Sequence, residues 1–239
     1  MIGRLVWIAA LIGVALVTAG VQLDRQARVS PALASIVPEP FRAFSQARIA
    51  SLAVVGDDAT QAVEEAERLV ARRPVPAEHV RVLANAQFKA EQIEQGSITV
   101  QIAAQRGWRD PLSQQAMLEL ALAAGDGAEA ARRYTALLLN SETENALLTE
   151  LGARTFSQPN GTARETFAEI LIGGERWHDY FLRRGARVLP PDAFIEVVTA
   201  AKQKGSRFDC QSISRTARQL TNRDPAAGKQ LGTVFEKEC

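Results

Sequence analysis

The sequence predicts an all-α fold, in which one apolar N-terminal helix precedes an α-solenoid of packed helix pairs. Alanine and leucine dominate a hydrophobic fraction of 46%, whereas aromatic residues make up only 6%. This balance favours helices over a β-sandwich, whose strands are rich in Val, Ile and aromatic residues. Glycine, proline and asparagine breaks recur at the spacing of helical hairpins, and no segment shows the alternation of a strand.

The composition excludes several classes of function. The chain carries 28 basic and 27 acidic residues, a net charge of +1, so no overall field attracts nucleic acid. Two cysteines and two histidines are too few for a zinc finger or a disulfide-rich scaffold. The chain contains no nucleophile elbow, zinc-protease, P-loop or dinucleotide motif. We therefore expect a non-enzymatic protein without a cofactor, a metal site or a nucleic-acid partner.

The first element is an uncharged apolar run over residues 5–23. At about 1.5 Å per residue, such a helix spans about 28 Å, close to the roughly 30 Å hydrocarbon core of a bilayer. Residues 1–23 are therefore expected to form a transmembrane anchor. A cleaved signal peptide is the alternative, because Arg4 supplies a positive start and Val17-Thr18-Ala19 a small-residue cleavage site. The run is longer than the apolar core of most signal peptides, which favours the anchor.

The side of the membrane is indicated by two opposing features. Arg25 and Arg28 follow the apolar run, and the positive-inside count then favours a cytoplasmic body. The export-like N-terminus and the even pair Cys210 and Cys239 favour the opposite side, where disulfides persist. We expect a single-pass inner-membrane protein with a periplasmic body and a Cys210–Cys239 disulfide. A cytoplasmic body with two free thiols is the alternative.

The rest of the chain divides into a linker, a repeat region and a terminal segment. Prolines 31, 38 and 40 predict an extended linker over 24–40. Helical repeats are expected over 41–175 and an irregular helical segment over 176–239. The helices are predicted at residues 40–54, 59–72, 77–91, 93–105, 112–124, 127–139, 143–155, 162–172, 176–184 and 191–203.

A small residue followed four positions later by a second, usually larger one recurs at intervals of 34, 34 and 33 residues. A third apolar or small residue follows three positions further on, so each triplet lies on one helix face. The small residue allows close helix approach, and pairs of this kind bury their faces by stacking. Chance alignment in an alanine-rich chain is the alternative, although the breaks share the spacing. The triplets are Ala62, Ala66 and Leu69; Gly96, Val100 and Ala103; Ala130, Tyr134 and Leu137; and Ala163, Phe167 and Ile170.

These triplets resemble the tetratricopeptide repeat over about residues 45–172. The strongest matches are the segments 130–137 and 163–170, with Gly125-Asp126 at the turn between helices and Pro111 after a repeat. An anchor, a short linker and degenerate repeats also resemble the layout of membrane-anchored repeat proteins of alphaproteobacterial envelopes. A bias of 23 arginines to 5 lysines agrees with that second resemblance.

The resemblance implies a scaffold or adaptor that binds a protein or peptide partner, with envelope assembly as the expected setting and the oligomeric state open. On the family's pattern the concave groove is formed by Arg81, Asn85, Phe88, Gln115, Glu119 and Leu122. Two alternatives belong to other classes. One is an envelope-polymer hydrolase whose site has no recognisable motif. The other is a polysaccharide-binding module that uses Trp108, Trp177 and the basic C-terminal segment.

We expect the chain to stay in the membrane fraction after high-salt and alkaline carbonate washes, because its apolar run is long enough to span the bilayer. Immunoblotting of the washed membranes checks this. N-terminal sequencing is the second measurement, and a mature protein that begins after Ala19 would show that the segment is a cleaved signal peptide.

Overall fold

The structure is a computed structural model that describes residues 2–239, and no strand occurs in that range. The prediction of an all-α protein with an N-terminal apolar helix is confirmed. Short 3-10 turns cover Pro31–Ile36, Glu39–Phe41 and Glu175–Trp177. The α-helices are α1 (Ile2–Val29), α2 (Ser45–Val55), α3 (Ala59–Arg72), α4 (Ala77–Lys89), α5 (Ile93–Arg106), α6 (Pro111–Ala123), α7 (Gly127–Leu139), α8 (Asn145–Thr155), α9 (Thr162–Ile172), α10 (His178–Val188), α11 (Pro191–Gln203), α12 (Cys210–Thr221) and α13 (Pro225–Phe235).

Helix α1 has the length and composition of a membrane span. An 18-residue window within it has a mean hydropathy of 2.1, and only 6% of that window is buried against the protein. The first buried residue of the helix is Gly20. Residues 2–19 therefore form an apolar rod of about 27 Å without packing partners, close to the thickness of a hydrocarbon core.

The stretch expected as an extended linker, residues 24–40, is folded instead. Helix α1 continues to Val29, and the buried carboxylate of Asp24 accepts the backbone N–H groups of Phe44 and Ser45, each at 2.9 Å. The Ser45 hydroxyl donates to the same carboxylate at 2.7 Å. These N–H groups belong to the start of α2, where an unpaired helix end needs acceptors. The prolines are compatible with this geometry because Pro31 and Pro40 lie in the first turn of a 3-10 helix and Pro38 directly precedes one.

The chain forms two compact units, residues 1–107 and 108–239. In the first unit α2 packs on α3, α4 packs on both, and α5 pairs with α4. Ala62, Ala66 and Leu69 are fully buried on α3. On α5, Gly96 lies against the ring of Phe88, so close that a Cβ would stand 2.7 Å from the ring. The small residues of the repeated triplets thus lie where helices approach most closely.

The second unit has two layers of helices. Helix α7 packs on α6 and on α9, and the same layer continues through α11 to α13. Helices α8, α10 and α12 form the other layer. The packing is that of a helical repeat-like bundle.

A row of buried aromatic rings joins the helices of the second unit. Tyr134 contacts Phe156 at a centroid distance of 5.1 Å, and Phe156 stacks on Phe167, also at 5.1 Å. Phe167 then meets Phe181, and Phe181 meets Phe194, each at 5.4 Å. The fully buried Tyr134 hydroxyl donates to the Leu148 carbonyl at 3.0 Å. Burial raises the pKa of Tyr134, so this hydroxyl keeps its proton.

The fourth triplet departs from the pattern by one residue. Ile170 is only half-buried, and Leu171 is fully buried in its place. In α9 the buried face therefore follows Ala163, Phe167 and Leu171, a spacing of four that a helix with 3.6 residues per turn allows equally well.

The C-terminal segment, expected to be irregular, contains the regular helices α12 and α13. Asp209 accepts the Ser212 N–H at 2.7 Å, and Asp224 accepts the N–H groups of Ala226 and Ala227 at 2.9 and 3.0 Å. Pro225 occupies the first position of α13, where its missing N–H costs nothing. These N-terminal caps outweigh the sparse apolar pattern that suggested irregular structure.

The two cysteines close this final hairpin. Cys210 begins α12, Cys239 follows α13, and the structure joins them in a disulfide with Cα atoms 5.3 Å apart. At the other end of the hairpin, Gly228 lies against the backbone of Thr221. A Cβ at Gly228 would stand 2.7 Å from the Thr221 nitrogen.

Two glycines of α13 provide a matched test of this close approach. Gly228→Ala should destabilise the protein by roughly 1–3 kcal/mol, because backbone atoms of Thr221 cannot yield as a side chain can. Gly232→Ala should instead stabilise it by about 0.5–1 kcal/mol, since open space surrounds Gly232 and alanine has the higher helix propensity. Chemical denaturation of the two variants measures both changes. Equal shifts in the same direction would contradict the packing of α12 on α13.

We expect Cys210 and Cys239 to be disulfide-bonded in the native protein if the body lies on the oxidising side of the membrane. Closing a loop of this length contributes about 3–4 kcal/mol in the chain-entropy model. Alkylation of acid-quenched cells without reductant, followed by mass spectrometry, measures the free thiols. Two alkylated cysteines would contradict the disulfide and indicate a cytoplasmic body.

Candidate binding groove between α9 and α11

A groove of about 750 Å³ lies between α9 and α11 in the second unit. Helix α9 and the loop before it supply one wall, α11 supplies the other, and α13 contributes Gln230. The lining residues are Pro159, Asn160, Arg164, Glu165, Ala168, Asp192, Ile195, Glu196, Thr199, Ala200, Gln203, Lys204 and Gln230.

The floor of the groove is apolar and held by the core beneath it. Ala168 and Ile195 are buried, at 1% and 3% exposure. Each follows directly after a ring of the aromatic row, since Ala168 succeeds Phe167 and Ile195 succeeds Phe194. The close packing of those rings leaves the floor little freedom to rearrange, so the groove is pre-formed.

Arg164 is the buried polar side chain of the groove. Its side chain is only 3% exposed, and it donates to the Phe156 carbonyl through Nε at 2.9 Å. Its two terminal nitrogens donate to Glu196 and Asp192, each at 2.7 Å. A guanidinium is planar and matches several acceptors at fixed angles, which suits a buried junction of this kind. Arg164 therefore joins α9 to α11, and its charge is neutralised by two carboxylates.

The turn before α9 is tied to the same network. Asn160 has φ 53°, in the left-handed region that asparagine tolerates better than most residues. Its backbone N–H donates to the second oxygen of Glu196 at 2.9 Å. Both oxygens of Glu196 are thus occupied, and the rim of the groove is held at this end.

The remaining rim carries hydrogen-bonding groups of mixed character. Gln203 and Gln230 supply side-chain amides, and Thr199 supplies a hydroxyl. Lys204 lies 3.8 Å from Glu169, a contact between two exposed side chains that contributes little energy. An apolar floor with a polar rim is the arrangement found in grooves that bind peptides and amphipathic helices.

The first three residues predicted from the family pattern lie on α4 in the first unit. Asn85 is exposed, whereas Arg81 and Phe88 are half-buried. The Phe88 ring packs over Gly96 of α5, so its main contact is with its own helical hairpin.

The other three predicted residues lie on α6 in the second unit. Glu119 forms a bidentate ion pair with Arg154 of α8, at 2.6 and 2.8 Å. Leu122 packs against the hydrophobic core and lines a smaller cavity of about 250 Å³. Gln115 is half-buried. None of the six lines the groove between α9 and α11.

Sequence reasoning missed the residues that shape this groove, although a signal was present. Arg164 directly follows Ala163, a close-approach position, and a charge beside a buried face needs a partner. Asp192 and Glu196 stand four residues apart on α11 and so share one face. That this face meets Arg164 depends on tertiary packing.

The imidazole of His178 has structural partners. The ring nitrogens of His178 lie 2.7 and 3.1 Å from the carbonyl oxygens of Leu171 and Arg207, and its ring stacks on Phe208. Asp179 points elsewhere and is exposed. Within residues 2–239, no group of three or more His, Cys, Asp or Glu side chains could hold a metal ion.

The two tryptophans of the alternative polysaccharide interpretation lie in different surroundings. Trp177 packs against Phe181 at a centroid distance of 5.8 Å. Trp108 is 54% exposed, and the Arg109 guanidinium lies 5.0 Å from the centre of its ring.

No family model, curated protein or solved structure matches this chain.

Arg164→Met should destabilise the protein by roughly 2–4 kcal/mol, because it leaves the Phe156 carbonyl and Glu196 without their partner. Asp192→Asn is the matched control. Its side chain is 64% exposed, so loss of that ion pair should cost less than about 1 kcal/mol. Thermal denaturation of both variants measures the difference. Similar melting temperatures would contradict the central position of Arg164.

Proposed function

We propose that this protein is a membrane-anchored helical-repeat adaptor whose α9–α11 groove binds a peptide or amphipathic helix of a protein partner. The observation that carries the proposal is the groove itself. Its volume is about 750 Å³, and an apolar floor lies under a polar rim. Its role is binding and not catalysis, and it needs no cofactor. Helix α1 holds the adaptor at the membrane.

The chemistry of the groove suits a peptide. Ala168, Ile195 and Ala200 are apolar residues of the groove lining. The amides of Gln203 and Gln230 can donate to and accept from a peptide backbone or polar side chains. A helix laid between two helices places its apolar residues on such a floor and its polar residues at the rim.

The wider setting is part of the same proposal. The resemblance to the tetratricopeptide repeat supports a scaffold role, and the resemblance in layout to alphaproteobacterial envelope proteins supports envelope assembly. A disulfide between Cys210 and Cys239 supports a periplasmic body on a single-pass inner-membrane protein.

Photo-crosslinking in living cells tests the groove directly. A benzoylphenylalanine at Gln203, on the rim, should give a discrete adduct with the partner. A second change, Thr199→Arg, should abolish that adduct because it places a long charged side chain in the groove. The matched control is Ala153→Arg on the exposed surface of α8, which should leave the adduct intact.

A crosslinker at Asn85 tests the groove that the family pattern predicts on α4. An adduct from Asn85 but none from Gln203 would move the binding site to the first unit. An adduct from Gln203 that survives Thr199→Arg would contradict binding in the α9–α11 groove. Melting curves of each purified variant show whether a lost adduct reflects lost folding.

A further inference from the structure

A second cleft, of about 410 Å³, lies in the first unit close to the end of the apolar rod. It is lined by Ala27, Arg28, Pro31, Phe44, Ala47, Arg48, Arg73, Glu78 and His79. We refer to it as the arginine cleft, because its lining contains three arginines and one glutamate. Nothing in the adaptor function described above uses it.

Two of the three positive charges of the arginine cleft lie against an aromatic ring and not against a carboxylate. The Arg73 guanidinium lies 4.5 Å and the Arg28 guanidinium 5.6 Å from the centre of the Phe44 ring. A ring face attracts a cation but leaves its charge and most of its N–H donors available. Arg48 is exposed to solvent. This arrangement contrasts with Arg164, whose donors are used by carboxylates.

The cleft lies close to the lipid headgroups if α1 spans the membrane as proposed. The protein body begins at Gly20, where the unpacked apolar rod ends. Arg28 follows eight residues later, about 12 Å along the helix axis. The headgroup layer is about 5–8 Å thick on each side, and a helical side chain leans towards the N-terminus of its helix. The Arg28 side chain therefore reaches back towards the headgroups.

The position of the cleft relative to the membrane is held by contacts already described. Asp24 ties α1 to the start of α2, which carries Phe44 just before it and Arg48 within it. Gly20 lies against the Phe41 ring, where a Cβ would stand 2.6 Å away. Arg28 and Arg48 are thus on elements that cannot swing freely about the anchor.

We propose that the arginine cleft binds the phosphate group of an anionic membrane lipid. Guanidinium groups match the oxygens of a phosphate with paired, charge-assisted hydrogen bonds. The proposal rests on the membrane anchor of the proposed function but not on the groove between α9 and α11. It predicts selection among lipids, which an apolar helix alone does not provide.

Native mass spectrometry of the full-length, detergent-purified protein tests the proposal with an equimolar mixture of phosphatidylglycerol and phosphatidylcholine. The unmodified chain should retain phosphatidylglycerol preferentially. Arg48→Gln, a change at an exposed position, should lower this preference about fivefold, the effect of one basic residue near a charged surface. The triple variant Arg28→Gln, Arg48→Gln and Arg73→Gln should abolish it.

The matched control is the triple variant Arg187→Gln, Arg207→Gln and Arg218→Gln, which removes the same charge from exposed positions of the second unit. It should keep the preference. An unchanged preference in both Arg48→Gln and the cleft triple variant would overturn the proposal, as would equal losses in the cleft and control variants. Retention of inorganic phosphate without any lipid preference would also overturn it. Carbonate washing of the cleft variant shows separately whether the anchor is still in place.

Discussion

The second unit depends on the row of aromatic rings that runs from Tyr134 to Phe194. Each ring fills the space between helices of different layers, and the Tyr134 hydroxyl bond to Leu148 fixes the first ring in orientation. Because the rings pack at normal contact distances, the residues beside them have defined positions. Ala168 and Ile195 are two such residues, and they form the floor of the groove. The groove between α9 and α11 is therefore lined in part by residues of the hydrophobic core.

In the first unit, the carboxylate of Asp24 has the corresponding importance. It supplies acceptors to the start of α2 and so converts a proline-rich connection into a fixed junction. A fixed junction has a functional consequence that a flexible linker lacks, because it sets the distance between the apolar rod and the protein surface. The cations near the junction, Arg28 and Arg48, are then held at one depth and not distributed over many.

The arginines of the chain fall into two groups by the partners they have. Arg164 donates to a carbonyl and two carboxylates, and these bonds join α9 to α11. The guanidinium groups of Arg28 and Arg73 lie over the Phe44 ring, and Arg48 is exposed. Charge count alone does not separate these groups, since the chain as a whole is nearly neutral. Which group an arginine belongs to depends on the elements that the fold brings together. Arginines paired with carboxylates are thereby distinguished from those that lie over an aromatic ring or at the surface.

Local patterns in the sequence were enough to identify the helices and the apolar rod, because helix periodicity, glycine and proline breaks and an uncharged run act over a few residues. Predictions from composition failed at two places where a single carboxylate organises the chain. Asp24 folds the proline-rich stretch, and Asp209 caps a helix in a segment with few apolar residues. The groove and the arginine cleft were beyond such patterns. Arg164 and Asp192 come from different helices, as do Arg28 and Arg73, and only the packing of one helix on another decides which distant side chains meet.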